Sequence, residues 1–536
     1  MICRRPWAAL SAAATLALAL SACKSGGDRW DETRTGFVEP FSRFLHRQFP
    51  KSFLTGSLDD VLAFYSKELA ASPAHRARKK ELLDRFARVE RVENTIEDIQ
   101  LLDGTDRVRL RLSSRLRGTA PNGDRVSVDL DDELVCHRDP SNAHGFSIVE
   151  EKVVSAEATS LQVSRFSEES ETRGLAFTHE TGKVKDRWGR MQNYAAGAGV
   201  GVGDYDGDGF EDVYLVRGVD SKLFRNKGDG TFEDVTERAK ASKPPAGEGR
   251  FGIFGDYDGD GREDIFVGIL NAPDLLLHNE GDGTFKDRAK EAHLVGTEQA
   301  TGAVWADFNN DGHLDLYIVS GGNLLQWDPE PIYNALNALP NALWMNNGNG
   351  TFTDRTKEAG VGHTGWALAV STQDFDLDGD TDIFIGNDVG YSVLYRNRGD
   401  ATFDDVSQEL GITRRGTGMG ASWGDPNNDG FPDVFVSGMA SNSIWVVDLP
   451  DYPVPAPWIV ALFFERTVRD IVMEMFDGNW YFQSDGAGGF KEVARATSAR
   501  NSGWAWGGSF LDYDNDGDED IYVLNGFISG PDPTDL

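Results

Sequence analysis

One acidic pattern, Asp-x-Asp/Asn-x-Asp-Gly-x-x-Asp, occurs six times between residues 204 and 520, and it constrains the fold more than any other feature of the chain. Its oxygen-bearing positions are Asp204, Asp206, Asp208 and Asp212; Asp256, Asp258, Asp260 and Asp264; and Asp307, Asn309, Asp311 and Asp315. The remaining copies supply Asp374, Asp376, Asp378 and Asp382; Asp425, Asn427, Asp429 and Asp433; and Asp512, Asp514, Asp516 and Asp520. Each copy runs straight into a β-rich stretch, such as Val-Tyr-Leu-Val after Asp212, that is apolar on both faces, as a fully covered strand is. A second motif follows most copies, at 223–232, 276–285, 343–352, 394–403 and, more loosely, 481–490. There an Asp-Gly or Asn-Gly turn joins two strands into a hairpin.

One unit is therefore strand, acidic loop, strand and hairpin, four strands in about 50 residues, the size of a propeller blade. The first aspartates of successive loops lie 52, 51, 67, 51 and 87 residues apart. The two long intervals carry insertions at 320–341 and 448–478, neither long enough for another blade. The last loop precedes a single strand, so the sixth unit lacks its outer strands. The run Leu175-Ala-Phe-Thr-His-Glu180 is expected to supply an outer strand and close the ring, which removes exposed edges. The predicted fold is mainly β: a six-bladed β-propeller over 175–527, with seven blades the alternative, and a short tail at 528–536.

Oxygen ligands at loop positions one, three, five and nine, with glycine at six for a sharp turn, suit a hard cation that takes six to eight oxygens. Calcium fits best. Position seven holds Phe210, Arg262, His313, Asp380, Phe431 and Asp518, which share no side-chain chemistry, so a backbone carbonyl is the expected ligand there. An EF-hand is excluded, because its bidentate glutamate position holds Leu215, Val267, Ile318, Ile385, Val436 and Val523. The six loops concentrate 22 carboxylates, and like charges so dense repel one another unless neutralised. About six calcium sites are expected.

These loops and hairpins resemble the FG-GAP and VCBS repeats of integrin α-subunit-type propellers. The approach Gly197-Ala-Gly-Val-Gly-Val-Gly-Asp-Tyr-Asp and the closing Trp504-Ala-Trp-Gly-Gly-Ser-Phe-Leu-Asp-Tyr-Asp resemble the cartilage acidic protein and UnbV-like group. The resemblance implies an extracellular, calcium-stabilised propeller used in adhesion or partner binding. With Leu536 as the last residue, a function carried by the carboxyl-terminal domain usual in that group is not expected.

The amino-terminal region has a different character. Residues 1–22 read as an export signal: Arg4 and Arg5, then a largely apolar run of 13 at 8–20, too short to span a bilayer. Leu20-Ser-Ala-Cys23 resembles the lipobox of bacterial lipoproteins, which implies lipidation at Cys23; a plain secretory signal is the alternative. Only Cys136 would then keep a thiol, so no disulfide is expected in the mature chain. Residues 23–38 form a polar tether. From 39 to 163, helical spacing at Phe41, Phe44 and Leu45, a capping box at Ser57 and Asp60, and Ser72-Pro73 precede period-two alternation at Val108, Leu110, Leu112 and at Val126, Val128, Leu130. This α+β order resembles the cone-like nuclear-transport-factor-2-like or SnoaL-like fold. A Ser/Glu-rich linker is expected at 164–174.

Charge and composition limit the function. With 53 basic against 87 acidic residues and a net charge of −34, binding to nucleic acid through phosphates is excluded. Apolar residues at 40% are enough to fill large cores, so the charge does not signal disorder. No catalytic residue stands out. The glycine run 197–203 lacks the third glycine of a dinucleotide fingerprint. Ser422 sits in the letters of a nucleophile elbow, but an acidic loop follows where a helix is needed. Trp305 and Trp423 read as core between blades, and Cys136 as a small buried residue. The expected function is a bacterial envelope lipoprotein, in the outer membrane or at the cell surface, whose propeller binds a protein or glycan. Strand parity puts both insertions, with Trp327, Tyr333, Tyr452, Trp458, Phe463 and Phe464, on the face opposite calcium. The alternative is an envelope enzyme: a polysaccharide hydrolase or lyase, or small-molecule chemistry in the amino-terminal cone.

Overall fold

The computed structural model describes residues 41–525 apart from 42, 103–105, 162–166, 168, 178–182, 186–190, 194–198, 219, 243–246, 295–298, 323–328, 332–333, 441–473 and 476. Cys23, the signal and tether, Trp327, Tyr333 and the aromatics of the second insertion lie outside the described residues. Two compact units emerge, one built on the amino-terminal residues to Ser167 and one on Glu168–Ala440 with Glu474–Phe527.

In the first unit, short helices precede four long antiparallel strands in sequential order: β1 (Arg88–Leu102), β2 (Arg107–Thr119), β3 (Arg125–Arg138) and β4 (Phe146–Leu161). Ser57 Oγ accepts the Asp60 N–H, and Ser72 Oγ the His75 N–H ahead of Pro73, so the helix starts fall at the expected caps. Alternation along β2 sends Val108, Leu110, Leu112 and Leu116 into a core with Phe41, Phe44, Phe53, Phe64 and Phe146. The outward arginines pair across to β3, Arg111 with Asp131 at 2.9 Å and Arg115 with Asp129 at 2.6 Å. Cys136 is buried, and burial pushes its thiol well up.

One polar cluster interrupts this core. Glu151, on β4, accepts from Lys79 Nζ at 2.7 Å and Tyr65 Oη at 2.8 Å, and His75 Nδ1 lies 3.2 Å away. Burial opposes ionisation of Glu151, but His75, Lys79 and Tyr65 together hold its carboxyl down at about 2.

The second unit is mainly β, a propeller-like repeat of four-stranded antiparallel sheets. The first contains Gly199–Gly203, Asp212–Arg217, Asp220–Asn226 and Phe232–Asp234, paired in that order. The second to fifth repeat it at 248–287, 300–354, 367–405 and 420–492. The sixth has two described strands, Ala505–Leu511 and Asp520–Asn525. Second strands are buried on both faces, as in Asp264–Leu270 and Asp315–Ser320. First strands of neighbouring sheets come close together: a Cβ on Gly201 would stand 2.5 Å from the Gly252 carbonyl, which accounts for the glycine run that mimics a nucleotide fingerprint. Trp305 packs between Phe266 of the preceding sheet and Phe352 of its own, and Trp423 likewise between Phe384 and Phe490. Ser422 lies within the strand Gly420–Gly424.

The segment expected as a linker contains the short helix Ser170–Arg173, closed by Gly174 in the left-handed region. It reproduces the turn that follows the outer strand of other sheets. The Leu175 N–H bonds the Ser170 carbonyl as Val361 bonds Thr356 and Ile412 bonds Ser407. A Cβ on Gly174 would meet the Phe232 carbonyl at 2.4 Å, as one on Gly411 would meet that of Phe490 at 2.5 Å.

Removing one partner of a buried ion pair leaves the other charge uncompensated, so Glu151→Gln should cost about 3–5 kcal/mol at neutral pH. Because the folded-state pKa lies below the ordinary 4.5, the wild-type advantage is full above that pH and is lost as pH falls towards about 2. Chemical denaturation of both proteins across this range checks the size and the sign.

Candidate metal centres

Every acidic loop is built by its own carboxylates. The position-one aspartate accepts the position-five N–H on Oδ1 and the position-six N–H on Oδ2, at 2.7–3.1 Å in all six loops. The position-five aspartate then takes the N–H of position seven, as Asp208 does from Phe210 and Asp516 from Asp518. The turn puts position four in the left-handed region, where Gly207, Gly259, Asn310, Asn428 and Asn515 are at ease. Leu377, at φ 60°, is the strained exception, at a cost of about 1–2 kcal/mol.

The position-nine aspartate is the anchor. Asp212, Asp264, Asp315 and Asp433 are 0% exposed and Asp382 is 1%. In the first four loops its Oδ2 accepts the position-two N–H, from Tyr205, Tyr257, Phe308 and Phe375. Its Oδ1 accepts a hairpin N–H at 2.7–2.8 Å, from Asn226, Asn279, Asn346 and Asn397. In the fifth loop Asp433 takes the Ser484 N–H and the Tyr481 hydroxyl. Acidic loop and hairpin thus share one end of each of the first five sheets, as strand parity predicts. Burial pushes Asp212 up to about 6 and Asp264, Asp315 and Asp382 up to about 7, the backbone donors notwithstanding.

The hairpin asparagines were not marked by sequence reasoning, and they also join neighbouring sheets. Asn279 Nδ2 donates to the carbonyl of Tyr205 in the preceding loop at 2.7 Å, Asn346 to Tyr257 at 2.7 Å, and Asn397 to Phe308 at 2.8 Å. Loops also touch directly: Glu263 accepts the Asp204 N–H, Glu519 the Asp425 N–H, and Asn310 and Asn428 donate to Asp380 and Asp518. The position-seven side chains, chemically unrelated, share a seat over the hairpin glycine. A Cβ at Gly228, Gly348 or Gly399 would lie 2.7 Å from Phe210, His313 or Asp380. The repeated Leu-x-x-Asn-x-Gly of the hairpins was the available signal for both.

The predicted ligands converge unequally. Positions one, three and nine come within 4.8 Å as Asp204, Asp206, Asp212; Asp256, Asp258, Asp264; Asp374, Asp376, Asp382; and Asp512, Asp514, Asp520. Asp260 converges with Asp258 and His278. Arg225 pairs with Asp206 and Asp208, and Arg396 with Asp376 at 2.9 Å, so the first and fourth loops already hold a fixed positive charge. In the third and fifth, the Asn309 and Asn427 amides bridge to Asp311 and Asp429 at 2.9 Å, which occupies the position-three group. The second loop receives no arginine from its hairpin strand, where His278 stands instead; its own Arg262 pairs with Asp260.

Fold and loops together define a repeat protein of four-stranded sheets, each carrying one self-bonded acidic loop. The chain belongs to the FG-GAP-like repeat family, whose model matches residues 204–267, 256–318, 334–385, 374–436 and 468–523, about half of the chain. It is 26% identical to mouse cartilage acidic protein 1 and 27% to the human protein over 266 residues, 45% of this chain. The Xenopus tropicalis protein is 29% identical over 131 residues. The chain spans 38% of the length of the mouse and human relatives. Among solved structures, an Agrocybe aegerita lectin recognising non-reducing terminal N-acetylglucosamine aligns at 15% identity and TM-score 0.31, covering 79% of this chain and 86% of the lectin. The Vibrio cholerae biofilm matrix protein Bap1 aligns at 17% and 0.28, covering 52% and 40%. Superpositions this loose bear on neither ligand nor fold.

Asp315→Ala removes the acceptor of two buried N–H groups, those of Phe308 and Asn346. At about 1–3 kcal/mol for each group left unpaired, the variant should lose about 2–6 kcal/mol, measured by denaturant unfolding.

Proposed function

We propose that this chain is a calcium-stabilised envelope scaffold, lipid-anchored at Cys23, that binds a protein or glycan through the propeller face opposite the acidic loops. The observation that carries the calcium reading is the shared loop architecture. Positions one and nine are turned inward by backbone donors, and carboxylate oxygens of positions one, three and nine converge within 4.8 Å in four loops. Hard-cation coordination by clustered carboxylates in a tight turn follows from such an arrangement. A six-bladed ring is supported by the turn at Ser170–Arg173, which stands against Phe232 of the first sheet as the turn before Ile412 stands against Phe490 of the fifth. Of the run 175–180 expected to close the ring, Leu175, Ala176 and Phe177 are not in a strand, and 178–180 lie outside the described residues. The anchor and the envelope location rest on the sequence at 1–23, and the binding face on strand parity and the aromatic insertions.

A second reading, small-molecule chemistry in the amino-terminal unit, has one observation in its favour. His75 Nε2 and Asp132 Oδ1 are buried near Glu151 without hydrogen-bond partners among the described residues, and burial raises the Asp132 pKa to about 6. Buried, perturbed groups of this kind occur at functional sites.

Chelation should lower the melting temperature of the full chain and calcium should restore it, because a ligand held only by the folded state stabilises it by linkage. Identical melting curves in chelator and calcium would contradict the assignment. For the scaffold, deletion of 448–478 should abolish capture of an envelope partner yet leave the calcium-dependent shift intact, and Cys23→Ser should release the protein from the membrane fraction. Retained capture after the deletion would rule out that face.

A further inference from the structure

The residue before the hairpin asparagine differs from sheet to sheet: Arg225, His278, Met345 and Arg396, with Gln483 before Ser484. In the first and fourth sheets it delivers a guanidinium to the acidic loop. In the second it delivers an imidazole, which in its neutral form presents a lone pair instead of a charge.

The His278 side chain is only 10% exposed, and its Nδ1 has no hydrogen-bond partner among the described residues. That nitrogen points into the loop, 3.5 Å from Asp258 Oδ2 and 3.1 Å from Asp264 Oδ1. Asp264 Oδ1 already accepts the Asn279 N–H at 2.7 Å. Asp258 Oδ1 is buried and lacks a partner as well. Ligand atoms of Asp258, Asp260 and His278 lie within 4.8 Å of one another, and Tyr257 meets the imidazole edge-on. A buried nitrogen without a partner, next to a carboxylate whose other oxygen is also buried and unpartnered, costs free energy unless something satisfies these groups. A tetrahedral zinc ion with ligands at about 2.0–2.1 Å sets its donor atoms roughly 3.3–3.4 Å apart, close to the gap between His278 Nδ1 and Asp258 Oδ2.

We propose that the second loop is a mixed nitrogen–oxygen site for a zinc-class divalent transition metal, held by Asp258, Asp260 and His278, distinct from the all-oxygen loops. Imidazole selects for such ions over calcium, which takes oxygen ligands. Binding exchanges the Arg262 guanidinium now paired with Asp260 for the ion. The proposal rests on reading the acidic loops as cation sites.

The test uses the full chain, stripped by chelator and titrated with cobalt(II), with calcium-dependent melting recorded in parallel. The expected result is one equivalent of cobalt with a ligand-field absorption band that zinc removes and excess calcium does not. The band should vanish in His278→Ala and persist in His293→Asn, which alters an exposed histidine outside the loop. If His278→Ala does not fold, Asp260→Asn, on the exposed part of the loop, carries the same expectation. Absence of the band in the wild type, or its survival in His278→Ala or Asp260→Asn, overturns the proposal. A calcium shift without a cobalt band defeats this site alone, whereas a cobalt band without a calcium shift defeats the calcium reading and leaves this site standing.

Discussion

A buried aspartate that accepts two backbone N–H bonds is the interaction on which the repeat unit depends. At Asp264, one oxygen takes the Tyr257 N–H and fixes the acidic loop, and the other takes the Asn279 N–H and fixes the hairpin. The asparagine so positioned turns its amide back to the Tyr205 carbonyl of the preceding loop. One carboxylate therefore sets the geometry within a sheet and, through its partner, the register between sheets. A buried carboxylate is stable only when its lone pairs are satisfied, and backbone amides at fixed positions satisfy them without side-chain entropy.

The same arrangement decides what is left for a cation. Positions one and nine carry structural bonds, so the groups at three and five determine each loop's character. Arg225 and Arg396 reach into two loops from the hairpin strand, Arg262 pairs with Asp260 in the second, and the Asn309 and Asn427 amides bridge two others. Six loops with one sequence pattern are thus not six equal sites. Raised carboxyl pKa values at Asp264, Asp315 and Asp382 reflect the same tension between burial and charge that a bound cation would relieve.

Much of this was legible in the sequence. The apolar runs, the loop spacing and the hairpin turns give the four-stranded unit, because strand burial and turn chemistry are local, with the acidic loop repeated six times and the hairpin five. The alternation at Val108, Leu110 and Leu112 gives the amino-terminal sheet for the same reason. The cross-sheet role of Asn279 was not legible, since a hairpin asparagine reads first as a turn residue. Nor was the seat of Phe210 over Gly228, which depends on two segments meeting in space. The helix Ser170–Arg173 falls within a stretch whose Ser/Glu composition suggests a linker, and its likeness to the other turns shows only in the bonding pattern. His278 differs from its counterparts by one letter in a motif whose remaining letters dominate the pattern.

The central claim, that the position-nine aspartate locks loop, hairpin and neighbouring sheet together, is tested most directly by amide hydrogen exchange under native conditions. Protection tracks the free energy of the opening that exposes an amide. The N–H groups of Tyr257, Asn279, Phe308 and Asn346, though they lie at loop and hairpin ends, should exchange as slowly as those of the central strands Asp264–Leu270 and Asp315–Ser320. Exchange of these four amides at the rate of ordinary exposed turns, while the strands stay protected, would contradict the account.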